Sequence, residues 1–206
     1  MHLKCLHAGL VIPRRIVHIL LQILDQDGVT LRRRGRLRRR AYFAKGPNFL
    51  WHLDSYDKLK PFGLCINGCI DGFSRQLLWL NVHSTSSDPR VIAGYYMEVV
   101  NTLKGCPSKL RGDMGTENGH VAQMQEILSG KDSFLYGQSM HNQRIESFWS
   151  ILRKECTQFW IDELSTLKEN GSFTRDFIDR NLVQFCFTKL VQVCNIVNSA
   201  IIFDGL

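Results

Sequence analysis

Residues 51–80 read WHLDSYDKLKPFGLCINGCIDGFSRQLLWL. Two β-type runs, Phe62 to Asp71 and Gln76 to Val82, flank the turn Gly72-Phe73-Ser74-Arg75, which is the pattern of a hairpin. Ahead of them Phe49 to Leu53 forms a first strand ending at Asp54, and residues 55–61 form a polar loop around Pro61. Three strands in so short a span make a sheet the centre of the fold. They also leave a lone carboxylate, Asp54, at the end of an apolar run.

Downstream, Ser84 to Pro89 is a polar loop. Asp88 caps a helix that runs to Leu103, with Pro89 at its first position. Apolar residues at 91, 92, 95, 96, 99, 100 and 103 line one face of it. Ser108 to Arg111 is a short strand leading to Asp113, Gly119 to Leu128 a helix, and 129–138 a loop. Asn142 to Trp160 reads as a helix of roughly five turns at ~3.6 residues per turn, with 145, 148, 149, 152, 156 and 159 on its apolar face. Ile161 to Leu167 and Phe173 to Val193 complete a helical second half. The order β-β-β-α-β-α-α-α describes an α/β fold, a mixed sheet with helices against it.

Length and composition agree. The chain has 206 residues, 44% of them apolar and 22% charged, which suits one domain with a real core plus a small appendage. No apolar run reaches the ~20 residues needed to cross a bilayer. Seven scattered cysteines with no CxxC pair read as free thiols in a reducing compartment; the expected location is nuclear if the host is eukaryotic and otherwise intracellular.

The net charge of +7 is uneven. Residues 1–45 carry 11 Lys/Arg and two Asp; residues 46–206 carry 15 Lys/Arg and 17 Asp/Glu. The basic character therefore belongs to an arm, residues 1–41, ahead of a main domain, 42–206, and such an arm suits a polyanion. Val11 to Asp25 has helical spacing, and Asp27-Gly28 is expected to stop it. A second helix starting at Thr30 would make a partial helix–turn–helix. A solvated basic linker is the other reading. Arg32, Arg33, Arg34, Arg38, Arg39 and Arg40 suit phosphate contact, and equally a nuclear address.

Two further acidic stretches stand out, RGDMGTENG at 111–119 and HNQRIESFW at 141–149. Asp113 follows a short strand, and Gly115 is expected to let the backbone turn sharply and a ligand approach. Glu146 lies early on a long helix. Hard divalent cations take oxygen ligands, and a pair of them can clamp the attacking and leaving oxygens of an in-line phosphoryl transfer. Asp54, Asp113 and Glu146 are the candidates to hold them. Against this stands the commoner use of Asp as a turn former and of helical Glu as a solvated residue. Asp71 reads as structural, and Asp57 as the partner of Lys58 or Lys60.

WHLD at 51–54, IDGFSR at 70–75, LRGDMGTEN at 110–118 and NQRIESFW at 142–149 together resemble the motifs of the integrase core family, the retroviral-integrase-like branch of the DDE transposases. The resemblance covers about 42–195. It implies a ribonuclease-H-like fold with a five-stranded mixed sheet flanked by helices. It also implies that Asp54, Asp113 and Glu146 are the metal-binding catalytic acids, served by two Mg²⁺ or Mn²⁺ ions in DNA integration. The 32 residues between the second and third acids are fewer than in the best-known members, and no zinc-binding or all-β flanking domain is recognisable. A domesticated or truncated, inactive nucleic-acid-binding relic is the alternative. A simple nuclease is a third reading. A homo-oligomer is expected from the resemblance. Arg144, Arg153 and Lys154 flank Glu146 on its helix and are candidate DNA contacts, with surface salt bridges as the bland reading. Asn142 and Gln143 suit capping or nucleic acid, and Trp149 core packing.

Overall fold

The computed structural model describes residues 2–34, 44–137 and 142–204. The chain divides into two compact units, Met1–Tyr42 and Phe43–Leu206.

In the first unit, α1 spans His2–His7, α2 Arg14–Leu24 and α3 Gln26–Arg34. Asp27-Gly28 does not end the second helix, as the sequence suggested, but lies inside the third. The break falls at Asp25, whose Oδ1 accepts the Gly28 N–H at 2.9 Å. That is an N-cap bond, so α3 starts four residues before Thr30.

The second unit is built on β1 (Leu50–Tyr56), β2 (Cys65–Asp71), β3 (Leu77–His83), β4 (Lys109–Gly112) and β5 (Phe134–Tyr136). Their order is β3-β2-β1-β4-β5, antiparallel through β3, β2 and β1, and parallel through β1, β4 and β5. The helices α4 (Pro89–Leu103) and α5 (Gly119–Ser129) are followed by α6 (Gln143–Leu152), a π-helical turn (Arg153–Thr157), α7 (Gln158–Glu169) and α8 (Phe177–Asp204). This is a mixed five-stranded sheet flanked by helices, the ribonuclease-H-like arrangement.

Side-chain parity along the strands divides the core in two. Trp51, Leu53, Cys69, Trp79 and Leu110 pack with Ile92 and Tyr96 of α4 and Val121 of α5. Tyr56, Ile66, Ile70, Leu80 and Val82 pack with Ile145, Phe148, Trp149 and Leu152 of α6, and with α7 and α8. β2 is buried along its whole length, as a central strand covered on both faces should be. The hairpin turn is held by Asp71. Its carboxylate accepts from the backbone N–H of Asn48, Phe73 and Ser74 and from the Ser74 hydroxyl, which makes it structural. Asp88 caps α4 through the Arg90 N–H at 2.9 Å, with Pro89 at the first position.

Four expectations change. Residues 55–61 are not a loop: β1 continues to Tyr56 because Ser55 and Tyr56 still pair with Asn67 and Ile66. A 3₁₀ turn, Asp57–Phe62, follows and buries Leu59 and Phe62. β5 lies within the stretch taken as a loop, since three residues are too few to show alternation. α8 starts at Phe177 and runs past Val193. Cys156 and Cys194 are not free thiols but a disulfide pair, with Cα atoms 6.5 Å apart across 38 residues of sequence. The π-helical turn meets α8 there, which no spacing rule reveals.

Candidate active site

Asp54 does not point off a strand end. It lies within β1, and parity puts His52, Asp54 and Tyr56 on the face that α6 covers. Asn142, at the position before α6, and residues 146 and 149 on it share one face at i, i+4 and i+7. The two rows meet. The Asn142 side chain lies between the His52 ring, Nδ1 to Oδ1 2.6 Å, and the Leu53 carbonyl, to which its Nδ2 donates at 2.7 Å. The Trp149 indole N–H donates to Asp54 Oδ2 at 2.9 Å. Trp149 stacks against Tyr56, with ring centroids 5.4 Å apart. It reaches Asp54 across Gly68, the residue paired with Asp54 on β2. A Cβ at 68 would stand 2.8 Å from the ring.

Asp54, Glu146 and Trp149 line one pocket of about 380 Å³, together with Ser55, Tyr56, Asp57 and Lys58. Burial raises the Asp54 carboxyl to about 6, and the charges of Asp113 and Glu146 push the same way. The Trp149 and Ser55 hydrogen bonds pull against them. Burial raises Glu146 as well. Asp113 follows β4, the parallel neighbour of β1. Its Oδ1 accepts from Asn118 Nδ2 at 2.7 Å and from the Gly115 N–H at 3.2 Å. Gly115 has φ −65°, which any residue adopts. Its missing side chain leaves room for the Glu117 carboxylate, not for the sharp turn expected.

These donors suit a hard cation. Two carboxylates line one pocket, and a divalent ion would neutralise them; Mg²⁺ needs only one or two carboxylates beside its waters. Among the described residues no three His, Cys, Asp or Glu side chains stand together as one ligand set. Asp54 and Glu146 share the pocket, while Asp113 is tied to Asn118 beside it.

The basic candidates are dispersed. Arg144 donates to the Gly72 carbonyl at 3.1 Å, so it braces the hairpin turn. Arg153 is exposed and donates to Gln158 at 2.9 Å, and Lys154 is exposed. Arg32, Arg33 and Arg34 end α3, and their side chains lie outside the described residues, as do Arg38, Arg39 and Arg40 altogether. Sequence reasoning offered Lys58 only as a possible partner of Asp57. It is Lys60 that pairs with Asp57, at 2.8 Å, and Lys58 borders the carboxylates. Trp149 packs in the core as expected, but a buried indole N–H needs an acceptor, and that requirement was the signal pointing to Asp54. Asn142 makes no capping bond.

The class that these features define is that of the ribonuclease-H-like folds, here with acids on β1, after β4 and on the covering helix. Within that class the chain belongs to the integrase core domain family, whose model matches residues 41–196. The family generally uses divalent metals and acts on DNA. A search of curated proteins returns no match. No helix among the described residues is long and apolar enough to cross a membrane.

Proposed function

We propose that this chain is the core of an integrase-type polynucleotidyl transferase, with Asp54, Asp113 and Glu146 as its ion-holding acids. The observation that carries the reading is the pocket that Asp54 of β1 and Glu146 of α6 both line. The raised Asp54 carboxyl belongs to the same picture. Acids raised by burial cluster at functional sites. Two bound Mg²⁺ or Mn²⁺ ions would supply activation of the attacking oxygen and neutralisation of the phosphoryl group.

The chain's own residues do the rest. Trp149 fixes Asp54 through its Oδ2. Asn118 holds Asp113. Lys58 stands where a backbone phosphate entering the pocket would meet it, and Arg153 and Lys154 offer cations further along the same helical segment. The arginines of the arm add attraction that does not depend on base sequence. Expected partners are DNA and a second copy of the chain, and the expected compartment is the nucleus in a eukaryotic host.

The test is nicking of supercoiled plasmid by the purified chain with Mn²⁺, beside Glu146→Gln. Nicking by the parent alone supports the reading. Equal nicking by both, or none by a folded parent, overturns it.

A further inference from the structure

We infer that Asn142 is the positioning residue of the site, a latch between β1 and α6 that sets Glu146 across the pocket from Asp54. The inference rests on the reading of Asp54 and Glu146 as ion ligands.

Asn142 is 4% exposed and His52 fully buried. Its amide is used at both ends: Nδ2 donates to the Leu53 carbonyl and Oδ1 faces His52 Nδ1. Since Nδ2 is committed to a carbonyl, Oδ1 is the acceptor, and His52 must carry its proton on Nδ1. The latch therefore grips β1 at 52 and 53, directly before Asp54. Its own backbone opens the helix that carries Glu146: the Asn142 carbonyl accepts the Glu146 N–H at 3.2 Å, so anchoring the side chain at 142 anchors the start of α6. Seven residues after Asn142, Trp149 ties the same helix to Asp54 itself. Glu146 thus stands between two ties that both end on the strand carrying Asp54.

The position of Asn142 strengthens the argument. It precedes α6, where Asn ordinarily caps by accepting an N–H from the first turn. Here the side chain makes no such bond and is spent on the strand instead. A residue that forgoes the cap to join two elements bearing carboxylates is placed for geometry between them. Groups that orient ion ligands without touching the ion typically change affinity by ~10–100-fold when removed.

A matched control exists on the opposite face of the sheet. Gln125 is also fully buried with its amide used at both ends: Oε1 accepts from the Tyr96 hydroxyl at 2.7 Å, and Nε2 donates to the Pro107 carbonyl at 2.8 Å. It lies among α4 and α5, on the sheet face away from α6.

The experiment measures Mn²⁺ binding by calorimetry for the parent, Asn142→Ala, Gln125→Ala, Glu146→Gln and the double variant Asn142→Ala/Glu146→Gln, each checked for folding by circular dichroism. Asn142→Ala is expected to weaken Mn²⁺ binding by roughly 10-fold or more, and Gln125→Ala to leave it within about two-fold. In the Glu146→Gln background Asn142→Ala should cost nothing further, because its effect passes through Glu146. Equal effects of Asn142→Ala and Gln125→Ala, or full additivity in the double variant, overturn the inference while leaving the ion site standing. If Asn142→Ala does not fold, Asn142→Asp takes its place: it keeps the shape and the acceptor for His52 but loses the donor to Leu53, and unchanged Mn²⁺ affinity there overturns the latch. A parent that binds no Mn²⁺, or a Glu146→Gln variant that binds like the parent, overturns the proposed function and the latch together.

Discussion

At the residue scale, a buried imidazole and a half-buried carboxyl two positions apart oppose each other. Burial depresses the His52 imidazole to about 4, aided by Arg111 and Arg144 and opposed by the Asn142 bond. A depressed base favours the fold fully above its ordinary value of 6.5, and that contribution is lost as pH falls towards 4. Asp54 runs the other way. Its folded value of about 6 exceeds the ordinary 3.8, so it favours the fold at low pH and loses that contribution as pH rises between the two. Between about 4 and 6 the slopes cancel. Asp54→Asn removes one of them. In chelator at pH 7 it should stabilise the fold by roughly 2–3 kcal/mol, at ~1.4 kcal/mol per pH unit. Its melting temperature should then fall more steeply than the parent's from pH 6 to 4. Parallel profiles of parent and variant would show that Asp54 is not raised.

The indole bond to Asp54 makes a second residue-scale prediction. A hydrogen bond to the charged form lowers a carboxyl pKa, so Trp149→Phe should lift Asp54 further. Protons compete with metal for a carboxylate. Mn²⁺ binding by the parent should therefore fade as pH drops below about 6, and in Trp149→Phe the loss should begin at higher pH. Calorimetry across pH 5 to 8 reads both.

At the scale of elements, the packing of α6 on the sheet depends on Gly68. A Cβ there meets a rigid ring edge at 2.8 Å, not a flexible chain end. Gly68→Ala should cost ~1–3 kcal/mol by overpacking and push Trp149 off Asp54. Lower stability with unchanged Mn²⁺ affinity would mean that the ring shifts without disturbing the carboxylate. The outer edge of β3 is handled differently. Gln192 on α8 accepts the Val82 N–H at 2.6 Å and donates to the Leu80 carbonyl at 2.7 Å. One side-chain amide thus stands in for a neighbouring strand at an otherwise open edge. Gln192→Ala should expose that edge and raise concentration-dependent self-association, measured by light scattering.

At the scale of the whole molecule, charge and chemistry sit on different units. Seven arginines lie between 32 and 40, while residues 46–206 are slightly acidic. The slope of log affinity for DNA against log salt counts neutralised phosphates, at about 0.9 per contact. Deleting residues 1–42 should flatten that slope by several units. An unchanged slope would move the phosphate contacts onto the main unit, to Lys58, Arg153 and Lys154.

Most of the sheet was legible in the sequence, because its signals are local. The turn residues 72–75 and the β-type runs beside them announce β2 and β3, and Asp88-Pro89 announces α4. The acids could be nominated, since they sit in motifs. What could not be read is how the rows meet. That His52, Asp54 and Tyr56 share a face follows from parity, but that this face receives 142 and 149 depends on β1 continuing past Asp54 and on α6 lying across it. Pairings across some 90 residues, Asn142 to His52 and Trp149 to Asp54, leave no trace in spacing, and neither does the meeting of Cys156 with Cys194. The sequence contains the ends of each such contact. Only the fold, by burying polar groups that must then find partners, decides which ends are joined.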